Sequence, residues 1–194
     1  MAILSTISRE LTWLQNTLQF YKKHFLALLS LGLVAALGRV IQLGAFGEIT
    51  TSFHILLEVV IESARLLLFV YVLGLANVKK GASRIKHLFT QKENRKQSWQ
   101  SALRRFRQQW PSVLLNLAVF SGIAYSINHL IDLVAYETCL FFTLKQDGLI
   151  ANTASEWTIL LFFKNLSVIP FTLTFEAIFL LWITDKLQRT PAID

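Results

Sequence analysis

Four long apolar segments, each interrupted by ionisable residues, constrain this chain more than any other feature. They run over Phe25–Phe46, Phe53–Val78, Ser112–Ala135 and Trp157–Ile183. Each supplies the roughly 20 residues that a helix needs to cross a hydrocarbon layer about 30 Å thick. Arg39, His54, Glu58, Glu62, Arg65, His129, Asp132, Lys164 and Glu176 nevertheless fall inside them. An ion at that depth costs about 2.5–3.5 kcal/mol or more, so it turns toward a bundle interior or a watery cavity. The expected fold is an all-α, polytopic membrane bundle of four transmembrane helices with a polar interior. With 54% hydrophobic and 16% charged residues, the composition is that of a membrane protein rather than of a soluble core. The 194 residues leave room for a single transmembrane domain. Cys139 stands alone, which excludes a disulfide framework, a redox pair of cysteines and a thiolate-rich metal site; it is expected to pack as a small apolar residue.

Basic residues are sorted along the chain. Of 19 Lys and Arg, Arg9, Lys22 and Lys23 precede the first span and ten lie within Lys79–Trp110, against the single acid Glu93. Lys186 and Arg189 follow the fourth span, Lys145 lies between the third and fourth, and none separates the first from the second. Because basic loops stay on the cytoplasmic side, both termini and the 79–111 segment are expected there, in a plasma (inner) membrane. No cleavable signal peptide is expected, since the first apolar stretch is too long for one and contains Arg39.

Residues 1–24 form an amphipathic leader in which Leu4, Ile7, Leu11, Leu14, Leu18, Tyr21 and Phe25 recur at helical spacing, with Ser5 as a cap. Trp13, Phe20 and Tyr21 suit a headgroup boundary, so the helix is read as interfacial, with pairing to another helix through the same stripe as the alternative. A second amphipathic helix carries Trp99, Leu103, Phe106, Trp110 and Val113 on one face, beside Arg104, Arg105 and Arg107. Its basic residues imply anionic lipid or an acidic partner, beyond setting orientation; no motif for reading nucleic acid accompanies them, and no nucleic-acid partner is expected. Pro111 marks a bend or a helix start between this helix and the third span.

The two leaders align at an offset of 86: Thr12-Trp13 on Ser98-Trp99, Phe20 on Phe106, and Leu28-Leu29-Ser30-Leu31 on Leu114-Leu115-Asn116-Leu117. Each half then reads as elbow, span, outer loop and span, as in an internal parallel repeat; convergence on a useful elbow is the alternative. The elbow and span, above all Ser98–Leu117 (SWQSALRRFRQQWPSVLLNL), resemble a group of bacterial integral membrane proteins related to the membrane domain of glycerophosphodiester phosphodiesterases. The Pro-Gly turn frequent in that group is absent at Gly122, and no phosphodiesterase domain accompanies the spans. The resemblance implies a helical membrane bundle and no activity.

At 1.5 Å per residue, Arg39, His54, Glu58, Glu62, Arg65, Asn128, His129, Asp132 and Lys164 gather in the outer half of the bilayer. Glu58, Glu62 and Arg65 share one stripe, which His54 extends, and Tyr125, Asn128/His129 and Asp132 share another. Arg39, Arg65 and Lys164 balance Glu58, Glu62 and Asp132, as a buried network requires. Three roles fit: an interhelical ion-pair network, a polar cavity for a solute, ion or headgroup, or a metal-dependent or acid–base catalytic centre. The spacings His54/Glu58 and His129/Asp132 suit a divalent metal, but no metalloprotease-type signature or nucleophile with an organised base accompanies them. Lys164 either pairs or reaches toward the outer interface. Pro170 deprives the Leu166 carbonyl of its donor and is expected to kink the fourth span. Asp147-Gly148 is the expected outer turn.

The expected function is that of a non-catalytic accessory or interaction subunit, in a complex of membrane subunits or as a homo-oligomer, without cofactor or metal. Its partners are then the lipid bilayer, anionic lipids and other membrane subunits. A small transporter or channel using the outer cavity is the alternative, and a membrane-embedded enzyme the third.

Overall fold

The computed structural model describes residues 11–90, 92–184 and 187, and these form helices and turns with no strand among them. In chain order the helices are α1 (Thr12–Lys23), α2 (Phe25–Gln42), α3 (Thr51–Leu73), α4 (Val78–Thr90) and α5 (Lys92–Asp132). A π-helical turn, Leu133–Glu137, leads to α6 (Leu140–Gln146), α7 (Trp157–Leu166) and α8 (Val168–Ile183). Among the described residues, three helical stretches are long and apolar enough to cross a membrane: Phe25–Gln42, Trp99–Glu137 and Trp157–Ile183. A fourth arises if Thr51–Leu73 and Val78–His87, bent by 88°, count as one span. α3 has the length alone, but Glu58, Glu62 and Arg65 within it lower its apolar character.

The chain folds as two compact units, one from Met1–Lys23, Phe69–Ser121 and Thr174–Asp194, the other from His24–Leu68 and Gly122–Leu173.

In the first unit, α1 packs through Trp13, Leu14 and Thr17, all buried. The Trp13 ring lies 4.8 Å from Phe175, 4.5 Å from Phe179 and 5.5 Å from Trp182, and Phe120 stacks on Phe175 at 3.9 Å. The first N–H groups of a helix lack intrahelical acceptors. Here the fully buried Asn116 side chain accepts from Leu14 N–H at 3.1 Å, and its amide donates to Ser112 O at 2.7 Å. This corrects the interfacial reading of Trp13. The buried face joins Trp13 to Leu14 of the expected stripe, whereas Leu18 of that stripe is exposed. Ser5, Leu4 and Ile7 lie outside the described residues.

The same unit holds the corner between α3 and α4. α3 ends at Leu73, five residues short of the expected Val78, because Leu75 and Ala76 adopt φ of 54° and 70° and end the helix, as left-handed residues do. A Cβ on Gly74 would sit 1.9 Å from Asn77 O, and one on Gly81 would sit 2.0 Å from Val70 O. Only glycine allows so close a return of backbone on backbone. Asn77 Oδ1 accepts from Lys80 N–H at 3.0 Å, and Arg84 donates to Leu73 O. The 79–111 segment, whose expected helix is the amphipathic one around Trp99–Trp110, is thus also helical over Val78–Thr90.

In the second unit, α2 is the central element. Gly32 lets it approach the end of α7 and the start of α8, where a Cβ would stand 3.1 Å from Asn165 O and 3.1 Å from Pro170 Cγ. Gly38 lets it approach α3, with Ile61 Cγ1 2.8 Å from the corresponding position, and Ala35, Ile61 and Ala64 form a buried contact. Small residues at membrane-type helix contacts bring backbones together in this way. α2 ends at Gln42 rather than Phe46, and Gly44 and Gly47 take positive φ in the turn that follows. That turn meets another: Ala151 N–H donates to Ala45 O at 2.7 Å, and Thr153 Oγ1 to Gly44 O at 3.3 Å.

The broken helices follow their prolines. Gln109 leaves helical geometry (φ −128°, ψ 26°) two residues before Pro111. Ser167 (φ −124°, ψ −73°) separates α7 from α8 three residues before Pro170, the kink expected where a ring displaces the preceding turn. Beyond Ala135 the third span continues through the π-helical turn to Glu137. Gly148 takes φ 70° in the expected turn after α6. Cys139 is exposed at the start of α6 rather than packed, since Thr138 is extended and ends the preceding helix.

Candidate functional site

Polar side chains of the second unit include a linked network and a separate ion pair. On α3, Leu57, Ile61, Ala64 and Leu68 form the buried stripe, and His54, Glu58, Glu62 and Arg65 follow the same helical spacing one position along. They therefore lie on the edge beside the packed face. Across from them, Arg39 and Gln42 occupy the last turn of α2.

Arg39 joins both glutamates. Its Nη1 is 3.0 Å and its Nη2 3.3 Å from the two oxygens of Glu58, and Nη2 is 3.8 Å from Glu62 Oε1. A forked guanidinium–carboxylate contact fixes direction as well as charge. Gln42, buried, accepts from Arg39 at 2.5 Å, donates to Glu58 at 2.7 Å, and has its amide nitrogen 3.3 Å from both His54 O and His54 Nδ1. Arg65 donates to Glu62 at 2.5 Å and to Asn165 Oδ1 at 2.6 Å, while Asn165 donates to Leu161 O at 2.7 Å. The links run His54, Gln42, Glu58, Arg39, Glu62, Arg65, Asn165, across α2, α3 and α7. Two arginines face two glutamates, so the network is formally neutral.

Asp132 and Lys164 form the separate pair, Nζ to Oδ1 3.8 Å. Lys164 therefore has a carboxylate partner within the unit. Asn128 and His129 are not brought into the network. Asn128 donates back to Ala124 O at 2.9 Å, and exposed His129 stacks parallel to Tyr125 with centroids 6.3 Å apart. Glu176, on α8, is exposed. Among the described residues no three His, Cys, Asp or Glu converge as metal ligands would.

Two members of the network went unread in the sequence. Gln42 and Asn165 are neutral amides, invisible to a search for charge. The signal available was their type: an amide inside an apolar helix needs partners, as a buried hydrogen-bonding group does.

The exposure of the network is as informative as its connections. The Arg39 and Arg65 side chains are 19% and 22% exposed, but those of Glu58 and Glu62 are 44% and 53% exposed. Carboxylate oxygens have about four acceptor positions, and on this edge some point out of the unit.

In the first unit, Trp99, Leu103, Phe106 and Trp110 are exposed, as are Arg104 and Arg107. Arg105 is not part of that open face. It donates to Trp182 O near the end of α8 and lies 5.6 Å over the Trp182 ring, so it closes a helix C-terminus and stacks on an aromatic face. Val113, the last residue of the expected stripe, is buried.

No family model, curated protein or solved structure matches this chain.

Proposed function

We propose that the protein is a four-span membrane protein acting as a non-catalytic accessory or interaction subunit, assembled with other membrane subunits or with further copies of itself. The observation that carries this reading is the half-exposed pair Glu58 and Glu62 on α3. α3 is packed along one face only, and Ile55, Leu56, Val59 and Leu66 around its outside are exposed. Apolar flanks suit lipid, whereas two carboxylates among them do not, since charge at hydrocarbon depth turns to protein or to water. A neighbouring transmembrane helix that presents hydrogen-bond donors would complete the edge.

A photo-reactive residue at Val59, beside both glutamates, tests the assignment in native membranes. The expected product is a protein adduct, with another copy or with a second subunit, while the same probe at exposed Leu26 yields lipid adducts. Lipid adducts alone at both positions would end the reading. The chain of hydrogen bonds from His54 to Asn165, bridged at Arg39–Glu62 by an ion pair of 3.8 Å, favours one second reading, a small transporter or channel with a hydrated edge. That reading requires solute flux in liposomes holding the purified protein, and its loss in Glu58→Gln.

The proposed orientation places both termini and the 79–111 segment on the cytoplasmic side of the plasma membrane, in line with ten basic residues in Lys79–Trp110. In a Cys139→Ala background, a cysteine replacing Gln146 is expected to react with an impermeant reagent on intact cells. One replacing Lys96 is expected to react only after permeabilisation. The reverse pattern would invert the topology.

A further inference from the structure

The amphipathic start of α5 has three distinct sides. Ser101, Ala102 and Arg105 are the less exposed positions, and Arg105 holds the end of α8. Trp99, Leu103, Phe106 and Trp110 make an open aromatic and apolar stripe. Lys96, Gln100, Arg104 and Arg107, all exposed, make the third side. A helix free in water has no reason to present two tryptophans and a phenylalanine on one side; in an interfacial helix these rings enter the headgroup boundary and the basic flank faces the phosphates.

The adjoining apolar stretch identifies what covers the stripe. Beyond the break at Gln109, Leu114 and Leu117 are exposed at the same spacing, within the apolar stretch Trp99–Glu137. Exposed apolar side chains thus lie on both sides of the kink, on the span and on the amphipathic helix, as they do when one bilayer covers both. The exposed cations supply the complement to lipid of negative charge.

We infer that the Trp99–Trp110 face docks on the anionic leaflet of the membrane the protein spans, with Arg104 and Arg107 at the headgroups and the aromatic stripe below them. Arg105 acts differently: it anchors the helix to Trp182 and so sets which face is offered to lipid.

The full-length protein, carrying Cys139→Ala and a nitroxide at Leu103→Cys, is placed in nanodiscs of phosphatidylcholine with 30% phosphatidylserine or of phosphatidylcholine alone. Spectroscopic accessibility to oxygen and to a water-soluble nickel chelate reports the depth of the label. The expected result is a label shielded from nickel in anionic discs. Each exposed arginine near an anionic surface strengthens attachment about fivefold, so Arg104→Gln/Arg107→Gln should shift the embedded-to-free ratio on the order of 25-fold toward water. Raising salt should act in the same direction, since screening shortens the reach of surface charge. A label open to nickel in both discs would overturn the inference, as would an embedded label indifferent to lipid charge and to both arginines. Spin–spin broadening between labels on two copies would overturn it in favour of self-association.

Discussion

Replacing Trp13 with alanine is expected to cost about 3–5 kcal/mol, the range for deleting a large buried aromatic side chain. Trp13 is fully buried and touches three rings, Phe175, Phe179 and Trp182; few neighbours could move to refill the space. Its indole Nε1 has no hydrogen-bond partner among the described residues, so Trp13→Phe removes area and stacking but no polar contact. That variant should lose less than half as much. Trp99→Ala, at a residue 68% exposed, should stay within about 0.5 kcal/mol of the parent, as surface substitutions do. Reversible unfolding in mixed micelles, followed by near-ultraviolet circular dichroism, gives all three values. Equal sensitivity at positions 13 and 99 would contradict the packing and restore the symmetry implied by the offset of 86 residues. Tolerance of Trp13→Ala would remove the aromatic stack as the fastening of α1.

Arg39→Gln should cost about 2–4 kcal/mol, somewhat below the range for a fully buried pair, because the glutamates it serves are half exposed. The loss comes mainly from what remains: Glu58 keeps only Gln42, and Glu62 keeps Arg65. Neutralising both sides, as Arg39→Gln/Glu58→Gln, should restore more than half of that stability, since no orphaned ion is left. The coupling measured in such a cycle should fall within about 1–3 kcal/mol, as for residues in one hydrogen-bonded network. Arg39 and Asp132 should show almost none, because Asp132 pairs with Lys164. Coupling of Arg39 to Asp132 and not to Glu58 would mean that the helices meet in another register. Unchanged stability in every single variant would show that these side chains are solvated and hold nothing together.

These pairings show where sequence reading reaches its end. Spacing alone places His54, Glu58, Glu62 and Arg65 on one edge of a helix, because 3.6 residues per turn is a local property. Charge balance requires that Arg39, Arg65 and Lys164 meet carboxylates. Which carboxylate each arginine meets depends on the approach of α2 to α3, through Gly38 and Ile61, and of α2 to α7, through Gly32 and Asn165. His129 and Asn128 carry the same spacing signal, yet one stacks on Tyr125 and the other bonds to its own helix. Periodicity selects a face without selecting what the face meets.

The amphipathic leaders make the same distinction in opposite ways. Their sequences match, but Trp13 lies in a stack and Trp99 lies open. Asn116, the partner of Leu14 N–H, stands where the aligned position holds Ser30, whose hydroxyl instead bonds to Ala27 O one turn back on its own helix. The two environments differ in these partners and in the three rings that pack on Trp13.

The amino-acid sequence by itself determined the helical class, the apolar stretches, the breaks near Pro111 and Pro170 and the turn at Gly148. Each of these follows from hydrophobic area per turn or from backbone sterics within a few residues. Only the tertiary structure decided the corner at Gly74–Gly81, the burial of Trp13, the withdrawal of Arg105 to Trp182 and the order of links from His54 to Asn165. Those depend on contacts between segments as far apart in the chain as Trp13 and Trp182, where a hydrogen bond or a close backbone approach is set by distances of a few ångströms that no local pattern encodes.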